Sequence, residues 1–207
     1  MASASTIAGV LRPCNKASAG LYDIALIVGG SLLIGLSAQV AVGLPFSPVP
    51  VTGQTFAVLM AGLLLGARRG SLCVLVYLVQ GIAGLPVFAA APKAGPAVLL
   101  GPTGGYLIGF LAAAYLTGLL AERGWDRHVF TTILAMTVGN AVIYLCGLIW
   151  LSMLAGIKAA VVTGLLPFVA GDILKLALAA AILPTGWKIL ASFCSPLKTD
   201  KFIRRGG

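Results

Sequence analysis

TGLLPFVAGDILKLALAAAILPTG, residues 163–186, carries Asp172 and Lys175 inside an otherwise apolar run. The run is long enough to cross a bilayer, whose ~30 Å hydrocarbon core takes about 20 helical residues. A charge at mid-membrane costs ~2.5–3.5 kcal/mol per residue on the insertion scale, so two of them need a reason. They stand at i and i+3 and share one helix face. That face must meet protein or a cavity, because lipid offers no partner. Two readings stay open at this point. Either the pair neutralises itself and locks helix packing, or it is a polar contact for a ligand held within the membrane. Asp172 accepts from N–H donors, and Lys175 donates to a carboxylate or carbonyl.

The rest of the chain has the composition of a container for such a face. Of 207 residues, 59% are hydrophobic and only 9% charged, against about 25% charged in soluble domains. An integral, all-α membrane protein follows. The net charge of +9 does not point to nucleic acid, because the basic residues are not clustered with aromatics on one segment but fall in short loops and tails. Cys14, Cys73, Cys146 and Cys194 show no metal-ligand spacing. Three read as small apolar residues and Cys14 as a tail thiol. Residues 1–21 lack the apolar core of a cleavable signal, so the first helix is expected to direct its own insertion.

Six spans are expected. The first, Ile24 to Gly43, has small residues four apart, Ala25 with Gly29 and Ser31 with Gly35, which let another helix approach. Pro45, Pro48 and Pro50 exclude helix from the loop 44–53. The second run, Gln54 to Gly66, reaches only ~20 Å as a helix, so either it begins below the membrane surface, which is the favoured reading, or it does not span. A basic turn, Arg68-Arg69, leads to a third short span, Ser71 to Gly84. The loop 85–103 follows, rich in glycine and proline. The fourth span is Tyr106 to Ala121. The fifth, Val129 to Leu154, holds Asn140 and Tyr144 four apart, with Asn140 either helix–helix glue or a ligand contact. The sixth starts near Leu165, with Pro167 in its first turn. Both short helices leave depth unfilled on the side of the two loops, and a pocket is expected there.

Topology follows from charge. Arg12, Lys16, Arg68, Arg69, Arg123, Arg127, Lys188, Lys198, Lys201, Arg204 and Arg205 fall on the side of the termini, and only Lys93 and Lys158 on the other. This bias puts both termini in the cytoplasm and opens the pocket outward. Catalytic chemistry is not expected. The single histidine, His128, lies in a turn, no paired acids or metal motif occur in the spans, and there is no P-loop. No metal or cofactor is called for. A stand-alone proton-coupled carrier is the alternative, but no internal repeat supports alternating access.

PVPVTGQT (48–55), LLLGARRGSL (63–72), YLVQGIAGLPVF (77–88), GPTGGYLIGF (101–110) and GDILK (171–175) together resemble the BioY family, over roughly residues 24–190. That family is the biotin-specific substrate-binding component of energy-coupling-factor transporters. The resemblance implies a six-helix component that takes biotin from outside. It also implies docking onto a transmembrane T component driven by two cytoplasmic ATPases, in the cell membrane. Asp172 and Lys175 fall on the family's GDxxK pattern and are implied to contact biotin, and the proline loop falls on its lid. The expected layout is a cytoplasmic tail (1–20), a six-helix substrate-binding domain (21–190) and a basic cytoplasmic tail (191–207). For this ligand, Tyr106, Tyr77 and Phe46 are candidate apolar walls. Thr52, Gln54, Gln80 and Asn140 are candidate further polar contacts. Another vitamin remains an alternative cargo.

Overall fold

The computed structural model describes residues 6–89 and 94–203, with side chains through Ser192. Lys93, Arg204 and Arg205 therefore lie outside the described residues, as do the side chains of Cys194, Lys198 and Lys201. In order, the elements are α1 (Ile7–Val10), α2 (Lys16–Gln39), β1 (Ala41–Val42), β2 (Val51–Thr52), α3 (Gln54–Leu65), α4 (Ala67–Ile82), α5 (Ala97–Leu100), α6 (Gly104–Glu122), α7 (Val129–Ala155), α8 (Ile157–Gly164) and α9 (Leu166–Ile203). Each of the six expected segments falls on a helix. Four helices, α2, α6, α7 and the unit 157–192, are long and apolar enough to cross a membrane, while α3 is a shorter apolar helix.

The boundaries depart from expectation in five places. The first helix begins at Lys16 rather than Ile24, because Asn15 Oδ1 accepts the Ala17 N–H at 3.1 Å and caps it. It stops at Gln39 because the next residues pair in a small antiparallel ladder, Ala41 with Thr52 and Val42 with Val51. Arg68 and Arg69 lie in the first turn of α4 rather than in a loop. The whole α3–α4 connection is Gly66, whose φ of +88° a side-chain-bearing residue rarely adopts. The link 155–163 is mostly the helix α8, and α9 continues past residue 190 to Ile203. The N-terminal tail also folds back over part of its length. Thr6 caps α1, Thr6 and Ala8 are buried, the Ala8 carbonyl accepts from Tyr22, and Arg12 pairs with Asp23 at 2.7 Å.

α6 is the central helix. It packs against α3, α4 and α7, and its glycines explain how. A Cβ on Gly105 would lie 2.3 Å from Trp150 Cβ, and one on Gly118 2.3 Å from the Ala67 nitrogen. Only bare backbone allows such approach. α2 and the N-terminal half of α9 expose Leu21, Leu33, Leu36, Ile173, Leu174 and Leu178 instead, as lipid-facing helices do.

Candidate ligand-binding site

α3 begins and α4 ends at the same side of the bundle, where α6 and α9 also begin. With ~18 Å and ~24 Å of helix, α3 and α4 fall short of a ~30 Å core. The space they leave holds a narrow cavity with about 550 Å³ of empty volume, counting its open mouth. Val49, Pro50 and Thr52 from the proline loop and β2 line it, with Gln54 and Thr55 from α3 and Phe88 beyond α4. Thr103 at the cap of α6 and Tyr106, Leu107 and Phe110 within it also line the wall, with Ile143 and Tyr144 of α7 and Phe168 and Lys175 of α9. The walls are mostly apolar and aromatic, with a few polar groups, the usual make-up of a small-molecule pocket.

One polar network crosses the cavity wall. Lys175 Nζ donates to Asp172 Oδ1 at 3.1 Å and to Thr55 Oγ1 at 2.7 Å, and the Tyr144 hydroxyl donates to Asp172 Oδ2. Asp172 and Lys175 are therefore an ion pair here, and both open readings survive: the pair is formed, and Lys175 also faces the cavity. Asp172 is buried and reaches the wall through its partners.

The other expected contacts divide. Thr52, Gln54 and Tyr106 line the cavity. Tyr77 does not. It is fully buried behind the wall, where it accepts from Gln54 Nε2 and meets Phe88 edge-on at 5.6 Å, supporting two lining residues. Tyr106 also pins the fold, donating to the Gly164 carbonyl at 2.9 Å. Phe46 is not at the wall. It lies at the outside of the proline loop, 61% exposed. Gln80 is not at the wall either, because its side chain turns toward α2 and donates to Ser31 Oγ at 3.2 Å. Asn140 is buried one helical turn from Tyr144, off the cavity, and its Oδ1 has no partner among the described residues.

Sequence reasoning missed Thr55 and Tyr144. Each had a signal: Thr55 adjoins Gln54 at the start of a helix, and Tyr144 shares a face with Asn140. The proline loop is anchored across the cavity mouth. Ser47 Oγ lies 2.7 Å from the Thr163 carbonyl oxygen and 2.8 Å from that of Val49.

Comparison with known proteins places this arrangement in a lineage. Residues 12–192 match the model of the BioY family. The chain is 41% identical over 160 residues to a probable biotin transporter BioY of Pyrococcus horikoshii, covering 77% of this chain and 93% of that one. It is 40% identical over 166 residues to the biotin transporter BioY of Thermotoga maritima, covering 79% and 90%. Among solved structures, the S-component for biotin from an ECF-type ABC transporter superposes with a TM-score of 0.74 at 27% identity. That match covers 85% of this chain and 95% of the other. The chain, a multi-pass membrane protein, belongs to the BioY family.

Proposed function

We propose that this protein captures biotin for uptake, as the substrate-specific subunit of an energy-coupling-factor transporter in the cell membrane. The observation that carries the reading is the cavity, in which aromatic walls surround one polar edge built on Lys175, Thr55 and Tyr144. Biotin has matching parts: a ureido ring with two N–H groups and a carbonyl, an apolar thioether ring, and a carboxylate tail. In this reading the chain crosses the membrane six times, with both termini cytoplasmic and the cavity open outward. The loop 44–53 is its lid, held by Ser47. The chain has no catalytic role and no cofactor of its own, and ATP is used only by partner subunits. Purified protein should bind biotin tightly and neither thiamine nor riboflavin. Equal or absent binding of all three would defeat the proposal. Accumulation of biotin by the chain alone in liposomes under a pH gradient would point instead to a proton-coupled carrier.

A T component also needs a docking face. α2 and α3 leave an open apolar groove of about 780 Å³, lined by Ala25, Gly29, Gly30 and Leu33 on one side and Ala57, Met60, Ala61 and Leu64 on the other. The two expected small pairs of α2 separate here. Nothing lies within 4 Å of a Cβ built on Gly29, whereas one on Gly35 meets the Val87 side chain at 3.3 Å. Gly29→Leu should abolish uptake in cells while the purified protein still binds biotin. Gly35→Leu should weaken the fold itself. Normal uptake by Gly29→Leu would remove the groove from consideration.

A further inference from the structure

Tyr144 and Lys175 are the cavity-lining side chains that hold Asp172, one on each carboxylate oxygen. What this edge of the cavity presents to a ligand follows from counting its donors and acceptors. A tyrosine has one hydroxyl proton, and that of Tyr144 is committed to Asp172. Tyr144 makes no other hydrogen bond among the described residues, so toward the cavity its oxygen is an acceptor. An ammonium only donates, so Thr55 Oγ1 must accept from Lys175, and its own proton is left to give. Lys175 has a third proton beyond the two it uses. The polar edge is therefore one acceptor beside two donors.

A carboxylate would satisfy the donors but set an oxygen against the Tyr144 oxygen. An N–H adjoining a carbonyl satisfies all three. We propose that Tyr144 is the specificity-determining residue of the site. Its oxygen, with the proton held by Asp172, accepts a ureido N–H, while Lys175 and Thr55 donate to the ureido oxygen. Asp172 is then a positioning residue that acts through Tyr144 and Lys175. This rests on the biotin reading above.

The test uses the full chain in nanodiscs and calorimetry with biotin, its two ureido mono-N-methyl analogues, 2-thiobiotin and biotin methyl ester. The parent should bind at least one N-methyl analogue about tenfold or more weaker than biotin. Tyr144→Phe should lose about tenfold in biotin affinity. It should also narrow the biotin to N-methyl ratio toward one and leave the biotin to methyl ester ratio unchanged. Asp172→Asn should narrow the same ratio. If Tyr144→Phe does not fold, Thr55→Val is read instead and should narrow the biotin to 2-thiobiotin ratio alone. Biotin binding by Tyr144→Phe within twofold of the parent overturns the assignment. So does uniform weakening of every ligand, or a change confined to the methyl ester ratio. A parent that does not bind biotin defeats the function itself. A parent that binds, with Tyr144→Phe unmoved, defeats only this inference.

Discussion

Two buried carboxylates lie against α9, and the chain treats them differently. Asp172 is on the helix, and Asp126 reaches it from the α6–α7 turn by way of Trp187, ~22 Å further along. Asp172 has a cation and a phenol as partners, and both face an empty space. Asp126 is fully buried. Trp187 Nε1 donates to its Oδ2 at 2.6 Å, and its Oδ1 has no partner among the described residues. Arg127 stacks over the indole at 4.5 Å instead of bonding to the acid. Burial pushes the Asp126 carboxyl above its ordinary range, while the Trp187 hydrogen bond and the Arg127 charge oppose the shift. A buried acid is thus not by itself a site. What distinguishes Asp172 is that its partners have somewhere to point.

The largest expected effect tests that distinction at the cavity. Asp172→Asn and Lys175→Met should each cost one to two decades in biotin affinity, since hydrogen bonds to charged groups contribute ~1.5–3 kcal/mol. The double variant should fold better than either single one, having no unpaired charge, and still not bind. If it binds like the parent, Asp172 and Lys175 are a structural clasp and the contrast with Asp126 disappears.

Next in size is Trp187→Phe, which takes the indole donor from Asp126. A buried acceptor left unpaired costs ~1–3 kcal/mol, so thermal stability should fall while biotin affinity stays within about twofold. Loss of affinity here would mean that the two ends of α9 are coupled.

The smallest effect is a pH dependence. A carboxyl whose pKa is raised on folding disfavours the folded state once ionised. The penalty is absent below the ordinary value of 3.8 and grows as pH rises through the raised value. Asp126→Asn keeps an acceptor for Trp187 and removes the charge. Its melting temperature should therefore gain on the parent as pH rises from about 4 toward neutrality. A parent that gains on the variant over that range would show the ionised acid to be stabilising after all.

The four long spans are legible because their apolar runs are long, and the cavity end because Pro45, Pro48, Pro50 and two short helices leave depth to fill. Which face of each helix turns inward was not readable. In a membrane bundle both the core and the lipid are apolar, so polarity does not mark the inner face. Asn140 therefore looked the better contact than Tyr144, although the cavity reaches only the latter. Gln80 was drawn in by its amide, yet it faces Ser31. The Trp187–Asp126 bond joins residues 61 apart through a relative rotation of helices that no local pattern records.

The connection at Gly66 carries a consequence for biogenesis. Neither α3 nor α4 has the apolar length to be held in a bilayer alone, and α4 opens with two arginines. Yet they are joined by one residue and packed so closely that a Cβ on Gly70 would lie 2.7 Å from Gly62 Cα. Paired, they satisfy at their shared surface what each would leave exposed to lipid. In the six-span reading, the unit that partitions into the membrane is the hairpin, 54–82, rather than either helix alone.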